Sequence, residues 1–207
     1  MKLFVEGGGE SNALRTACRE GFTKFITEAG IRKRPRVVAC GSRNDAFDSF
    51  CTALKNGESA MLLVDSETAI AAACQQGRPE HWTPWVHLHQ RQGDEWSKPG
   101  NALDTQCHLM VECMESWFLT DRATLKRFFA QGFKEAALPA LNRPIEAVRK
   151  AEVYTALKRA TGTSQKGEYG KGDHSFKLLA EIDPAQVTRA SPWAKRFIDE
   201  LKKAMGG

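Results

Sequence analysis

Residues 60–67 read AMLLVDSE, a run of apolar residues that ends in two carboxylates, Asp65 and Glu67. The run predicts a β-strand over 60–64 that stops where the acidic residues begin. Two comparable runs lie earlier in the chain, at 2–5 and 36–40. The first third of the sequence therefore predicts three short strands.

The spacing of apolar residues between these strands predicts helices. Leu14, Cys18 and Phe22 recur at four-residue steps within a helix predicted over 12–29, and a second helix is predicted over about 44–56. Strands that alternate with helices through short links predict an α/β fold, with a parallel sheet flanked by helices. Further along, we expect a strand at 107–111, a helix from about 113, helices at 121–131, 144–160, 174–181 and 192–205, and a loop at 161–173.

Residues 77–104 break this pattern. They are rich in proline and glycine and hold three of the five tryptophans and three of the five histidines, which predicts a long loop with a strand at 85–88. His87 and His89 would share one side of that strand, either as metal ligands or as surface histidines. The tryptophans also suggest a docking surface, so a homo-oligomer stays open.

The length and charge of the chain suggest how it is organised. Its 207 residues suit one domain, and we expect an α/β core over 1–120 with a basic helical C-terminal region over 121–207 packed on it. Residues 1–121 carry 13 Lys and Arg against 16 Asp and Glu, a net charge of −3, whereas residues 122–207 carry 17 against 9, a net charge of +8. This asymmetry fits a carboxylate-rich site beside a surface for polyanions, unless the basic side chains only solvate helix faces.

Composition excludes several classes of protein. A chain that is 42% hydrophobic and 27% charged is too apolar for a disordered protein. Its longest uncharged run, 68–77, is much shorter than the roughly 20 residues of a membrane helix, and its start lacks a signal peptide, so we expect a cytoplasmic protein. No cysteines form a C-x-x-C pair, which favours buried thiols; zinc held by Cys107, His108 and Cys113 would lack a fourth ligand.

Carboxylates follow two of the predicted strands. Glu6 ends the first, and Asp65 and Glu67 end the third. Because ligands collect at the carboxyl ends of strands in an open parallel sheet, these side chains are expected to converge. Their mutual repulsion would be relieved by a divalent cation, and carboxylate oxygens suit Mg²⁺ or Mn²⁺. The alternative is that Asp65 caps a helix.

The three glycines at 7–9 allow the backbone to approach a phosphate beside such a cation. Gly7 and Gly8 are therefore candidate substrate contacts. The sequence lacks both the G-x-x-x-x-G-K-[ST] pattern of a P-loop and the G-x-G-x-x-G pattern of a dinucleotide-binding fold. A nucleotide-binding fold is thus the less favoured interpretation.

Several motifs together resemble a known family. Phe4-Val5-Glu6-Gly7, followed by an apolar strand that ends in an acidic pair, resembles the Toprim fold of topoisomerases, bacterial primases and OLD-type nucleases. The wider set resembles a bacterial family of Toprim-like proteins of unknown function, related to OLD-type and RloB-type anti-phage nucleases. This set comprises FVEGGG at 4–9, ACGSR at 39–43, LVDSE at 63–67, MESWF at 114–118 and GKGDHSFK at 170–177.

The resemblance implies roles for the matching acidic residues. Glu6 would be a general acid–base or a metal ligand, and Asp65 and Glu67 would bind Mg²⁺, with glutamate where the pair usually has a second aspartate. Glu115 would complete the site, although an exposed helical pair with Glu112 is the alternative. Proteins of this group are often encoded beside an ABC-type ATPase in anti-phage cassettes, which implies such a partner.

The GKGDHSFK motif adds basic candidates. Asp173 is placed to cap the helix that follows, which would leave backbone N–H groups and Lys171 free to hold a phosphate. Lys171 and His174 are therefore candidate catalytic residues, and Lys177 is a candidate substrate contact together with Arg43 from ACGSR. A solvated helix cap is the alternative.

These observations lead to one main functional hypothesis. We expect a Mg²⁺- or Mn²⁺-dependent nuclease that cuts DNA or RNA and whose activity a partner ATPase controls. The first alternative is a noncatalytic Toprim-like regulatory or sensor subunit that docks on that ATPase. The second is a small-molecule phosphotransferase.

Overall fold

A computed structural model describes residues 1–140 and 142–206; Leu141 and Gly207, which belong to the predicted C-terminal region, lie outside the described residues. This part of the chain contains four strands and eight α-helices, connected by loops and short 3-10 helices. In chain order the strands and α-helices are β1 (Lys2–Gly8), α1 (Asn12–Glu28), β2 (Arg36–Gly41), α2 (Arg43–Lys55), β3 (Ala60–Asp65), α3 (Pro84–Gln90), β4 (Cys107–Met110), α4 (Arg122–Phe129), α5 (Lys150–Thr161), α6 (Lys171–Leu179), α7 (Pro184–Ala190) and α8 (Pro192–Met205).

The four strands form one parallel sheet in the order β2-β1-β3-β4. Val5 of β1 lies opposite Ala39 of β2 on one side and Leu63 of β3 on the other. The chain thus adds β2 on one side of β1 and β3 on the opposite side. Open α/β sheets bind ligands at such a reversal of strand order, beyond the carboxyl ends of the strands.

Helices cover both faces of the sheet. Leu3 and Val5 of β1 belong to a hydrophobic core that includes α1 and side chains from α4 to α8, whereas Phe4 belongs to a second core with α2 and α3. β3 is buried at every position, as expected of a parallel strand covered on both faces. The predicted fold class is confirmed: a parallel α/β sheet flanked by helices, with further helices at the C-terminus. This layout is consistent with a Toprim-like fold.

Local signals start the first two helices, but not the fifth. Ser11 caps α1, and Ser42 forms a capping box with Asp45 at the start of α2. The prediction that a helix begins at 144 is wrong, since α5 begins at Lys150. There the buried carboxylate of Glu112 accepts the Lys150 N–H at 2.7 Å, so a residue distant in sequence caps the helix.

The strand predicted at 85–88 is also wrong, because these residues lie in α3. Pro84 occupies the first turn of this helix, where its fixed φ and missing N–H are tolerated. On a helix, two residues separated by two positions point in different directions. His87 is accordingly buried, and its Nε2 donates a hydrogen bond to the backbone carbonyl oxygen of Ser66 at 2.9 Å, whereas His89 is exposed.

The remaining differences lie in the second half of the chain. The helix predicted from about 113 is a 3-10 helix, Met114–Thr120. α6 begins three residues before its predicted start at 174, and α7 lies where no helix was predicted. α7 has only seven residues, too few for a clear helical period.

The tryptophans of the 77–104 segment do not form an exposed docking surface. Trp82, Trp85 and Trp96 are each at most 7% exposed and belong to the second core. Trp96 stacks on Phe47 with ring centroids 4.4 Å apart. Burial of large aromatic surface explains how this irregular segment is held in place. None of the helices in the described ranges is long and apolar enough to cross a bilayer.

Candidate functional site

Three carboxylates meet at the carboxyl ends of β1 and β3. Glu6 lies near the end of β1, Asp65 is the last residue of β3, and Glu67 follows two residues later. One oxygen from each side chain lies within 4.8 Å of the other two. The structure therefore brings together the three acids that the strand ends predicted, and we call them the acidic triad.

Glu6 is half-buried and contacts both neighbouring elements. Its Oε2 accepts hydrogen bonds from the Asp65 N–H and from Nη1 of Arg43, each at 3.2 Å. Burial raises the pKa of the Glu6 carboxyl above its ordinary value, although the charge of Arg43 opposes the shift. A raised pKa brings proton exchange closer to neutral pH, as a general acid–base requires.

Asp65 is the most buried member of the acidic triad, with 3% of its surface exposed. Its Oδ1 accepts the Met114 N–H at 2.9 Å, and its Oδ2 lies 3.6 Å from the ammonium of Lys150. Burial, then the charges of Glu6 and Glu115, raise the pKa of Asp65 well above its ordinary value. A cation bound next to Asp65 would favour its charged form.

Glu67 has a backbone conformation that is uncommon for its residue type. Its φ is 64°, in the left-handed region that non-glycine residues rarely adopt. The Glu67 N–H donates to the carbonyl of Glu112 at 2.9 Å. Both carboxylate oxygens accept hydrogen bonds from Lys150 Nζ at 2.7 Å, so the side chain is held beside Asp65.

Arg43, the predicted substrate contact in α2, is engaged within the protein. Its Nη1 donates to Glu6 and to the carbonyl oxygen of Asp65, while Nε and Nη2 donate to the carboxylate of Asp94. Its guanidinium also lies 5.2 Å from the ring centre of Trp96. Arg43 thus links the acidic triad to the loop after α3.

Glu115 is completely buried, so the alternative of an exposed pair with Glu112 is wrong; Glu112 is only 3% exposed. Oε1 of Glu115 accepts from the hydroxyls of Tyr169 at 3.1 Å and Ser175 at 3.2 Å. Oε2 accepts from the hydroxyl of Tyr154 at 2.9 Å. The structure places Glu115 next to the acidic triad, but three hydroxyls use its oxygens.

A cavity of about 360 Å³ opens beside the acidic triad. Its lining combines carboxylates, glycines and apolar side chains: Glu6, Gly7, Gly8, Gly9, Leu14, Gly41, Asp65, Met110, Met114, Glu115, Lys171, Gly172 and Phe176. Gly7 and Gly8, the predicted substrate contacts, have φ values of 130° and 89°. A Cβ on Gly8 would lie 2.8 Å from the Cα of Arg15, so glycine is required for this wall of the cavity.

The basic candidates from GKGDHSFK occupy different environments. Lys171 lines the cavity at the start of α6. His174 points into the protein, where its Nδ1 accepts the Gly170 N–H at 3.0 Å and its ring centre lies 5.3 Å from that of Phe129. Lys177 is exposed. Of the three, Lys171 alone is among the residues that line the cavity.

Sequence reasoning missed Lys150 and Asp94, the partners of Glu67 and Arg43. Neither belongs to a motif, and each reaches the site from a separate loop or helix start. Sequence reasoning also missed the hydroxyl partners of Glu115: both tyrosines of the chain bond this carboxylate, and they lie 39 and 54 positions from it in sequence.

The other proposed ligand sets are not assembled. Within residues 1–140 and 142–206, the group of three potential ligands that the structure brings together is the acidic triad. His108 instead contacts Thr105 O at 3.0 Å and Nη1 of Arg196 at 3.1 Å. The cysteines of the zinc hypothesis, Cys107 and Cys113, are buried and free.

The donor set of the acidic triad fits a hard divalent cation. Its oxygens come from three carboxylates, the ligands that Mg²⁺ and Mn²⁺ prefer. Each acid also has a partner within the protein: Lys150 for Asp65 and Glu67, and Arg43 for Glu6. A cation bound to the acidic triad would compete with these contacts.

Comparisons with known proteins give the family but no precedent for its activity. No curated protein and no solved structure matches the chain. A family model described as a domain of unknown function, DUF4276, matches residues 5–202. This span contains the acidic triad, the cavity and the C-terminal helices up to residue 202 of α8. The chain therefore belongs to the DUF4276 family.

Proposed function

We propose that this protein is a Toprim-like nuclease that hydrolyses nucleic-acid phosphodiesters with the help of Mg²⁺ or Mn²⁺. The observation that carries the proposal is the acidic triad, whose oxygens lie within 4.8 Å of one another beside a cavity. Its position at the reversal of strand order is where open α/β sheets place their ligands. The motif resemblance to Toprim proteins supports the same assignment.

Asp65 and Glu67 would hold the cation, with Glu6 as a third ligand or as the group that relays a proton. A bound divalent cation supplies charge stabilisation at the scissile phosphate and lowers the pKa of water. The raised pKa of Glu6 suits proton transfer. Lys171, at the wall of the cavity, is placed to neutralise phosphate charge. His174 would stabilise the start of α6 by accepting the Gly170 N–H, and it would not contact the substrate.

The basic C-terminal half would hold the nucleic-acid backbone. Its net charge of +8 over residues 122–207 predicts binding that weakens steeply as salt is added. Lys177, an exposed residue of α6, is one candidate for this contact. The resemblance to anti-phage proteins further implies that an ABC-type ATPase controls the activity.

A second candidate function is that of a noncatalytic regulatory or sensor subunit. The observation that favours it is the internal pairing of the acids, because Glu6 pairs with Arg43 and Glu67 pairs with Lys150. Paired carboxylates have less need of a metal. Such a subunit would keep the fold and dock on an ATPase without cutting nucleic acid.

A cleavage assay distinguishes these functions. Fluorescently labelled single-stranded DNA, duplex DNA and RNA would be incubated with the protein and Mg²⁺, Mn²⁺ or EDTA. We expect metal-dependent cleavage of at least one substrate, reduced at least ~100-fold by Asp65→Asn or Glu67→Gln. Asp199→Asn is the matched control, since Asp199 pairs with Lys195 on the exposed surface of α8.

Cleavage that persists in EDTA or in Asp65→Asn would reject the proposed site. No cleavage and no calorimetric heat from Mg²⁺ or Mn²⁺ with folded wild-type protein would favour the regulatory subunit.

A further inference from the structure

Lys150 places an ammonium group within the acidic triad. Its Nζ lies 2.7 Å from each carboxylate oxygen of Glu67 and 3.6 Å from Oδ2 of Asp65. These are the two acids that the proposed function assigns to the metal. The protein therefore already has a positive charge where a cation shared by Asp65 and Glu67 would lie.

We propose that Lys150 is an exchangeable internal cation, which occupies the metal position of the acidic triad and leaves it when a divalent cation binds. This inference rests on the metal site of the proposed function and adds a residue that regulates its occupancy. Lys150 acts through Asp65 and Glu67, so it is a positioning residue for the site.

The two cations compete for Glu67. Both Glu67 oxygens already bond the ammonium, which lies where a cation shared with Asp65 would bind. A divalent ion and an ammonium a few ångströms apart also repel strongly in a partly buried site. Binding of the ion through Glu67 therefore favours departure of the Lys150 side chain.

Lys150 can leave, whereas Arg43 is fixed. The Arg43 guanidinium is held from behind by the bidentate carboxylate of Asp94 at 2.6 and 3.1 Å. Among residues 1–140 and 142–206, the ammonium of Lys150 contacts only the carboxylates of Glu67 and Asp65; Glu112 holds its backbone N–H, at 2.7 Å. Its side chain is 25% exposed, and its flexible stem can turn toward solvent without movement of α5.

Calorimetric titration with Mn²⁺ alone tests the proposal. We expect Lys150→Met to tighten Mn²⁺ binding at least ~10-fold, because the competing charge is gone. Lys158→Met is the matched control: Lys158 lies on the same helix, α5, where its exposed ammonium pairs with Glu168 at 3.6 Å, and we expect a change below about 3-fold. Unchanged or weaker binding by Lys150→Met, or an equal gain in Lys158→Met, would overturn the proposal.

A second measurement uses the wild-type chain and does not depend on how the variants fold. Acylation of lysines by a hydroxysuccinimide ester, read by mass spectrometry, reports the exposure of each ammonium. We expect Mn²⁺ to accelerate acylation of Lys150 at least ~3-fold, with Lys158, an exposed lysine of the same helix, unchanged. Protection of Lys150, or no change at saturating Mn²⁺, would overturn the proposal.

The two proposals fail in different ways. Tighter Mn²⁺ binding by Lys150→Met without cleavage of any substrate would support the role of Lys150 and reject the nuclease. Metal-dependent cleavage that needs Asp65, combined with unchanged Mn²⁺ affinity in Lys150→Met, would support the nuclease and reject the exchange. Absence of Mn²⁺ binding in wild type and variant alike would reject both.

Discussion

Asp94 accepts two hydrogen bonds from the guanidinium of Arg43, from Nε at 3.1 Å and from Nη2 at 2.6 Å. The Asp94 side chain is 1% exposed and that of Arg43 is 13% exposed. The remaining nitrogen of Arg43 donates to Glu6 and to the backbone of Asp65. Because bidentate pairs combine strength with fixed geometry, Asp94 sets the position of the cation that faces the acidic triad.

Asp94→Asn should lower the free energy of unfolding by about 2 kcal/mol, because the Arg43 guanidinium loses the carboxylate that holds Nε and Nη2 and keeps Glu6 as its charged partner. Urea unfolding followed by circular dichroism measures the change. The control is Asp104→Asn, which breaks a more exposed pair with Lys98 and should cost less than about 1 kcal/mol. Equal losses in the two variants would contradict the role assigned to Asp94.

Glu115 provides a test of which acids bind metal. Since its oxygens already accept three hydroxyl hydrogen bonds, we expect Glu115→Gln to destabilise the protein by about 2 kcal/mol through a disrupted buried network. We expect its Mn²⁺ affinity to stay within about 3-fold of wild type, in contrast to Asp65→Asn, which removes a ligand. Calorimetry and thermal unfolding of the same samples measure both effects.

Tyr169→Phe is the matched variant for Glu115, because it removes one hydroxyl and keeps the ring. It should cost about 1 kcal/mol and leave metal binding unchanged. If Glu115→Gln instead abolished Mn²⁺ binding while keeping its stability, Glu115 would be a ligand, as the motif resemblance implies.

The sheet was predictable because its signals are local. Apolar runs such as 60–64 are bounded by polar residues, and Ser42 and Asp45 mark the start of α2 within four residues. The convergence of Glu6 and Asp65 followed from the same patterns, because parallel strands end at one edge.

The rest of the site depends on contacts between distant segments, which no local pattern encodes. Lys150 N–H is capped by Glu112, so the start of α5 cannot be read from the residues around it. Asp94 reaches Arg43 from an irregular loop. The 3-10 helix Met114–Thr120 begins where Asp65 accepts the Met114 N–H, a tertiary bond that overrides local helix propensity.

A buried histidine should contribute a loss of stability below pH about 6.5, against the opposite contribution of the raised pKa values of Glu6 and Asp65. Burial, and then the charge of Arg196, hold the pKa of His108 well below its ordinary value. The unfolded chain therefore takes up a proton that the folded protein does not, and the free energy of unfolding decreases as pH drops below that of an unfolded histidine. Each such histidine contributes a slope of at most about 1.4 kcal/mol per pH unit.

His108→Asn keeps an acceptor for Arg196 and removes this titration, so it should reduce the slope between pH 6.5 and 5.5 relative to wild type. Some slope should remain, since burial also lowers the pKa of His87. Urea unfolding at several pH values gives these slopes, and a wild-type slope in His108→Asn would refute the assignment.

Gly21 allows α1 to approach α6, and a methyl group at this position should push the helices apart. A Cβ on Gly21 would lie 2.7 Å from the carbonyl oxygen of Phe176, which is backbone and cannot move aside. Although alanine is the better helix former, Gly21→Ala should destabilise the protein by about 2 kcal/mol through overpacking.

Gly172→Ala is the matched control in α6, because its Cβ would meet only Leu14, at 3.9 Å or more. We expect it to stabilise the protein by about 0.5 kcal/mol. Thermal and urea unfolding compare the two variants, and a neutral Gly21→Ala would show that the contact between α1 and α6 relaxes freely.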